Sequence, residues 1–145
     1  MNDFKTYTVS PDEKQEIISV IKSFLEGDDR IVFAYIFGSF VDPEIPFFRD
    51  IDIGVYIRDY RKSDWQRYAL KLPNELEKQL NYRYPVDLSI INEADILLVK
   101  NIIQGNLLFV KDEDLWADFV VDASMRYNDI APLFDYYFKE AHLEK

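Results

Sequence analysis

The stretch Tyr35 to Val55, YIFGSFVDPEIPFFRDIDIGV, decides how the rest of the chain is read. An apolar run from Ile31 to Phe37 stops at Gly38-Ser39, and a loop holding Pro43 and Pro46 leads to a second apolar segment that opens with Asp50-Ile51-Asp52. Read as a strand, the second segment alternates its side chains, so Asp50, Asp52 and Gly54 share one face while Ile51, Ile53, Val55 and Ile57 share the other. Two carboxylates then stand side by side, repelling by about 3–4 kcal/mol at an effective dielectric near 20. A hard divalent cation with oxygen ligands relieves that repulsion. Taken alone, the pair also reads as solvated acids flanking a strand, so its surroundings have to decide.

Composition narrows the choice. With 145 residues, 48% apolar and 16% aromatic, the chain is long enough to bury one core, and we expect a single domain over residues 1–145. A formal net charge of −10 argues against a nucleic-acid backbone as ligand, because such binding relies on clustered Lys and Arg. There is no cysteine, which excludes disulfides and thiolate metal sites. The N-terminus MNDFKTYTVS has no basic segment followed by an apolar one, and no apolar run approaches the roughly 20 residues that span a bilayer. A cytoplasmic location with no membrane contact is the expectation.

Along the chain, Ser10-Pro11-Asp12-Glu13 has the form of a capping box with proline at the first helical position. Ile17, Ile18, Ile21, Phe24 and Leu25 continue at helical spacing up to a stop at Gly27. Ile31–Phe37 is apolar on both faces, which suits a strand covered on both sides. After the DIDIGVYI strand, Ser63-Asp64 can cap a helix carrying Trp65, Tyr68, Leu72, Leu76 and Leu80, and Pro73 predicts a break or kink near Leu72. Tyr84–Ile91 reads as a third strand, with Val86, Leu88 and Ile90 on one side and Asp87 and Ser89 on the other. Asn92 can cap a helix from Glu93 to Gln104 that ends at Gly105, and Leu107–Val110 reads as an edge strand or extended link. From Asp112 onward, Leu115, Phe119, Ala123 and Tyr127 share one helical face, and Pro132 should bend or restart the helix. The order α, β, β, α, β, α, β, α predicts an α/β (α+β) fold. A mixed sheet should carry helices on one face, with the aspartates on the other.

Asp87 would bring a third carboxylate to the pair. Three carboxylates on neighbouring strands can hold divalent metals, and two such ions about 3.5–4 Å apart stabilise the attacking and leaving oxygens of an in-line phosphoryl displacement. Mg²⁺ fits this oxygen set, and nothing here offers the His-rich ligands that zinc favours. Gly38-Ser39 adds a tight turn whose backbone N–H groups and hydroxyl can approach a phosphate. His142, the single histidine, reads as a solvated tail residue. Tyr136, Tyr137 and Phe138 in succession cannot all face one core, so at least one ring should meet solvent, a second copy or a partner protein.

Gly38-Ser39, ten residues, then Asp50-x-Asp52 resembles the G-S-x10-D-x-D motif of the nucleotidyltransferase superfamily that includes DNA polymerase β. Pro85-Val86-Asp87-Leu88 resembles its third-aspartate strand. The chain is similar to the minimal nucleotidyltransferases (MNT), many of which are antitoxins encoded beside a HEPN-domain (higher eukaryotes and prokaryotes nucleotide-binding) toxin. The resemblance covers nearly the whole chain, including the segment Gln104-Gly105-Asn106-Leu107-Leu108. It implies two Mg²⁺ ions held by Asp50 and Asp52, with Asp87 completing the catalytic metal site and helping to activate the acceptor hydroxyl. Gly38 and Ser39 would hold the triphosphate of ATP. The implied reaction moves AMP from ATP to a hydroxyl, a tyrosine by the same resemblance, on a partner HEPN toxin. Two alternatives stay open: adenylylation of a small polycation such as an aminoglycoside, which the acidic surface would attract, and a non-catalytic toxin-binding module.

The loop departs from the family pattern. Where relatives often carry small, basic and glycine residues after Gly-Ser, this chain reads Phe40-Val41-Asp42-Pro43-Glu44, and Arg49 is the one basic residue in the loop that could offset the acids toward a nucleotide. A chain this short is also expected to leave the aspartate face without a second wall, so that a partner closes the cleft.

Overall fold

The computed structural model describes residues 5–143, with side chains described as far as residue 132. The helices are α1 (Pro11–Glu26), α2 (Leu72–Gln79), α3 (Ile96–Ile103) and α4 (Glu113–Leu143). The strands are β1 (Ile31–Phe37), β2 (Ile51–Ile57), β3 (Val86–Ile90) and β4 (Asn106–Val110). Their order along the chain is the one expected, and the sheet runs β3-β2-β1-β4. β2 pairs antiparallel with β1 and parallel with β3, and β4 pairs antiparallel with β1, so the sheet is mixed and Leu107–Val110 belongs to an edge strand.

Central position explains why β1 is apolar throughout: each of its seven residues is buried. Ile31, Ala34 and Ile36 join Ile17, Ile21 and Leu25 of α1 and Leu72 and Leu76 of α2 in the larger core. Val32, Phe33, Tyr35 and Phe37 face Ile91 and Ile102, with Leu98, Leu115, Trp116 and Phe119 packed alongside. The expectation that helices take one face and leave the other to the aspartates therefore holds for α1 and α2. α3 and the first turns of α4 lie instead over the far part of the aspartate face. Gly54 permits this approach, since a Cβ there would stand 3.2 Å from both Ile102 and Ile91. The near end, where β1 ends and β2 begins, stays uncovered.

Two helix starts and one cap differ from the sequence-based expectation; α1 itself begins where expected. Ser10 caps α1 by accepting the N–H of Glu13 at 3.1 Å, but the Glu13 carboxylate turns to the Tyr84 hydroxyl, at 2.8 Å, and ties α1 to the entrance of β3. Ser63 and Asp64 fall inside a 3-10 turn (Lys62–Asp64), and a π turn (Arg67–Lys71) precedes α2. Pro73 accounts for the π turn: it lacks an N–H and its ring crowds the carbonyl four residues back, which a wider turn accommodates. Asn92 does not cap α3. Asp95 does, accepting the N–H of Leu98 at 2.9 Å, while Asn92 pairs with both backbone groups of Ile57, accepting its N–H at 2.8 Å and donating to its carbonyl at 3.1 Å. Its amide continues the β2–β3 ladder beyond Ile90, the last residue of β3.

Helix α4 runs through Pro132 without restarting. A proline removes one backbone donor, and the remaining turns of a helix this long keep their own bonds. The side chains of Tyr136, Tyr137, Phe138 and His142 lie outside the described residues. Among the described residues, no helix is long and apolar enough to cross a membrane.

Candidate active site

The register of the parallel pair brings the three aspartates together. Asp52 of β2 lies directly opposite Asp87 of β3, and the Ile51 N–H donates to the Pro85 carbonyl at 2.9 Å, which fixes that alignment at its first rung. Asp50 sits just before β2, where the chain is pinned by a two-bond bridge between Tyr7 and Phe48 (2.8 and 3.0 Å). Phe48 is buried against the rings of Tyr7, Phe40 and Tyr84. As a result, one carboxylate oxygen from each of Asp50, Asp52 and Asp87 can be chosen such that all lie within 4.8 Å of one another.

Asp52 is the innermost of the three. Burial, then the negative charges of Asp50 and Asp87, push its carboxyl up from 3.8 to about 7. Carboxylates crowded in this way favour a divalent ion, whose charge would offset their repulsion. The donor set is all oxygen, with open space on the solvent side for phosphate and water, so it fits Mg²⁺.

Gly38 ends β1 with φ +80° and ψ −162°, a conformation close to glycine-only, and opens a 3-10 turn (Ser39–Val41). A side chain at Gly38 would collide with Asp52 Oδ2, so the turn backbone lies directly against the innermost carboxylate. A cavity of about 810 Å³ opens here, with Gly38, Ser39, Asp52 and Asp87 in its lining. Asp50 adjoins it through the carboxylate cluster. Arg49 is exposed beside Asp50 and lies outside the lining residues.

The structure adds residues to which the sequence assigned no role. Leu98 and Asn101 of α3, with Gln104 that ends it, line the cavity, so one wall over the aspartate face is built by this chain, contrary to the expectation that none would be. Their i, i+3, i+6 spacing puts the three on one helical side, but Lys100, Asn101 and Gln104 together read as an ordinary polar helix end, so the spacing by itself announces no wall. Gly105 and Asn106 continue that wall. A Cβ on Gly105 would come within 2.5 Å of the Ile36 carbonyl oxygen and Phe37 Cβ, so the start of β4 closes directly on the end of β1.

Comparison with known proteins agrees with this geometry. Among curated proteins, none matches the sequence. Among solved structures, a chain from the complex of a tri-AMPylated Shewanella oneidensis HEPN toxin with an MNT antitoxin superposes with TM-score 0.65 at 20% identity, covering 89% of this chain and 98% of that one. A chain of the toxin–antitoxin MntA–HepT gives TM-score 0.60 at 18% identity, with 92% and 99% covered. A toxin–antitoxin structure with AMP-PNP gives 0.63 at 20%, with 89% and 98% covered. At these identities the likeness concerns the fold. The sequence itself matches the family model "Polymerase beta, Nucleotidyltransferase" over residues 19–114. Since that span runs from within α1 into α4 and takes in the Gly38-Ser39 turn and all three aspartates, the chain belongs to the polymerase β nucleotidyltransferase family.

Proposed function

We propose that this protein is an Mg²⁺-dependent nucleotidyltransferase that moves AMP from ATP to a hydroxyl, a tyrosine, of a partner HEPN toxin, forming the tyrosyl–phosphate bond as the α–β phosphoanhydride breaks and pyrophosphate leaves, and so acts as an antitoxin. The observation that carries the reading is the convergence of Asp50, Asp52 and Asp87 beside the Gly38-Ser39 turn at the mouth of one cavity. Chains of the same fold come from a complex of a tri-AMPylated HEPN toxin with an MNT antitoxin and from a toxin–antitoxin structure with AMP-PNP, which supports both the partner and the nucleotide. ATP as substrate also supports a cytoplasmic site of action, and the span of the family match supports one domain over residues 1–145.

In this reading Asp50 and Asp52 would hold two Mg²⁺ ions and Asp87 would complete the site of the catalytic one. When bound, the metal supplies charge for the attacking and leaving oxygens. The protein's own part is positioning. Gly38 and Ser39 offer backbone N–H groups and a hydroxyl to the triphosphate, and their rigid placement against Asp52 keeps the α-phosphate near the carboxylates. Asp87 stands at the exposed edge of the cluster, on the side from which an acceptor hydroxyl enters, and can orient that hydroxyl and take its proton. Arg49, exposed beside Asp50, is the basic residue of the loop that would offset its acids toward the nucleotide.

Incubation with ATP labelled at the α-phosphate and Mg²⁺, with and without a HEPN protein encoded beside this gene, tests the proposal. Label on a tyrosine of the partner, lost in Asp50→Asn and Asp87→Asn, is the expected outcome. Full neutralisation of the toxin by Asp52→Asn would instead favour action by contact alone.

A further inference from the structure

We infer that the Asp42–Phe47 loop is the docking surface for the acceptor, and that it fits a basic, partly apolar protein segment carrying the reacting hydroxyl. This inference rests on the nucleotidyl-transfer reading above and concerns the residues that choose the acceptor.

The loop is preformed. Asp42 Oδ1 accepts the Glu44 N–H at 2.9 Å, the Asp42 carbonyl accepts the Ile45 N–H at 3.2 Å, and Pro43 and Pro46 fix two further backbone angles. Its far end is anchored by Phe48, 3% exposed and bridged to Tyr7. With Phe48 turned inward, the preceding side chain points out in an extended chain, and Phe47 is 50% exposed; Ile45, 37% exposed, lies in the cavity lining. Two large apolar side chains held in water on a rigid loop beside a reaction site are the make-up of a contact surface.

Charge selects the occupant. Among the described residues, the cavity lining includes Asp42, Asp52 and Asp87 and no Lys or Arg side chain, and Glu44 stands exposed on the same loop. Even with two divalent ions bound and Arg49 counted, about five positive charges face about four from a triphosphate and those of the four aspartates 42, 50, 52 and 87. The loaded site stays negative, so an approaching segment with Lys or Arg beside its hydroxyl is drawn in and an acidic one is repelled. The apolar rim favours a protein segment over a small polycation, which would leave Ile45 and Phe47 uncovered.

The test compares two fluorescent peptides with a single tyrosine, one flanked by lysines and leucines, the other by glutamates and leucines. Each is titrated by anisotropy into the protein with Mg²⁺ and a non-hydrolysable ATP analogue, then offered as acceptor with α-labelled ATP. The lysine peptide should bind and be labelled at least about tenfold better at low salt, with the advantage shrinking toward parity near 1 M salt. Asp42→Asn with Glu44→Gln should cut that advantage to about twofold or threefold, because Asn retains the oxygen that holds the loop and only charge is lost. Phe47→Ser should weaken both peptides without lowering thermal stability. Equal behaviour of the two peptides, or a preference unchanged in the double variant, overturns the inference, as does transfer to an aminoglycoside when neither peptide binds. Loss of preference with Mg²⁺-dependent ATP binding intact refutes the docking surface alone. Absence of that ATP binding refutes the nucleotidyltransferase reading itself.

Discussion

The missing side chain of Gly38 points at Oδ2 of Asp52, close enough that any Cβ would collide with it. The turn that would cradle phosphate and the carboxylate that would hold metal are therefore built as one unit, with the end of β1 paired to the start of β2 through Phe37 and Asp52. Gly38→Ala should cost about 1–3 kcal/mol of stability from the φ +80° backbone alone. It should cost more in function, about a hundredfold or greater loss of transfer, because displacing Asp52 by even 1 Å spoils the alignment. Urea unfolding and labelling rates measured side by side check this, and near-normal transfer by a destabilised variant would contradict it.

Asp52 gives the metal-free protein a pH dependence of definite sign. Its folded-state carboxyl titrates at about 7 against an ordinary 3.8, so between these values the folded state binds a proton that the unfolded state does not. Stability from this group is present at low pH and is lost as pH rises through about 7. With metal chelated, Asp52→Asn should raise the melting temperature by about 5 °C at pH 8 and by clearly less at pH 5.5. Adding Mg²⁺ at pH 8 should reverse the order, stabilising wild type and leaving the variant almost unchanged. Scanning fluorimetry at both pH values decides it.

Asn92 has a structural role that composition cannot reveal. Its side-chain amide satisfies both backbone groups of Ile57 at the end of β2. Asn92→Ala should destabilise by about 2–3 kcal/mol, because two partly buried peptide groups lose their partners together. Asn92→Asp should fall in between at neutral pH, keeping the acceptor and losing the donor. Activity per folded molecule should stay close to wild type, since the contact lies at the end of β2 away from the aspartates.

What the sequence disclosed and what it withheld divide along local and tertiary lines. β1, β2 and β3, the parity of Asp52, Gly54 and Asp87, and the glycine turn are written in short patterns with period 2 or with obligatory backbone geometry, and these were legible. The start of α3 was not, because Asn92 and Asp95 are equally good local caps and only the pairing of Asn92 with Ile57 decides between them. The π turn before Pro73 was legible as a disturbance but not in kind. The wall formed by Asn101 and Gln104 depended on how α3 sits over β1 and β2, which the small side of Gly54 allows but no sequence spacing announces.

Three aspartates are the charged side chains that line the cavity among the described residues, and nucleotide binding there should depend strongly on metal. Asp42, Asp52 and Asp87 all line the space a triphosphate would enter, and the acids repel the phosphates unless divalent ions lie between them. Metal affinity is limited in the same way, because three protein carboxylates leave coordination positions that phosphate oxygens complete. Each ligand should therefore strengthen the other by the same factor, as linkage requires, and we expect at least about a hundredfold. Calorimetric titration of ATP in chelator and in excess Mg²⁺, then of Mg²⁺ with and without a non-hydrolysable ATP analogue, measures both sides of that cycle. Asp52→Asn should collapse the coupling severalfold or more while Ser39→Ala weakens ATP in both conditions alike, since the hydroxyl acts on phosphate directly. Comparable ATP affinity with and without Mg²⁺ would mean that some cation outside the lining reaches the triphosphate, with Arg49, exposed one residue before Asp50, the first to test by Arg49→Ala.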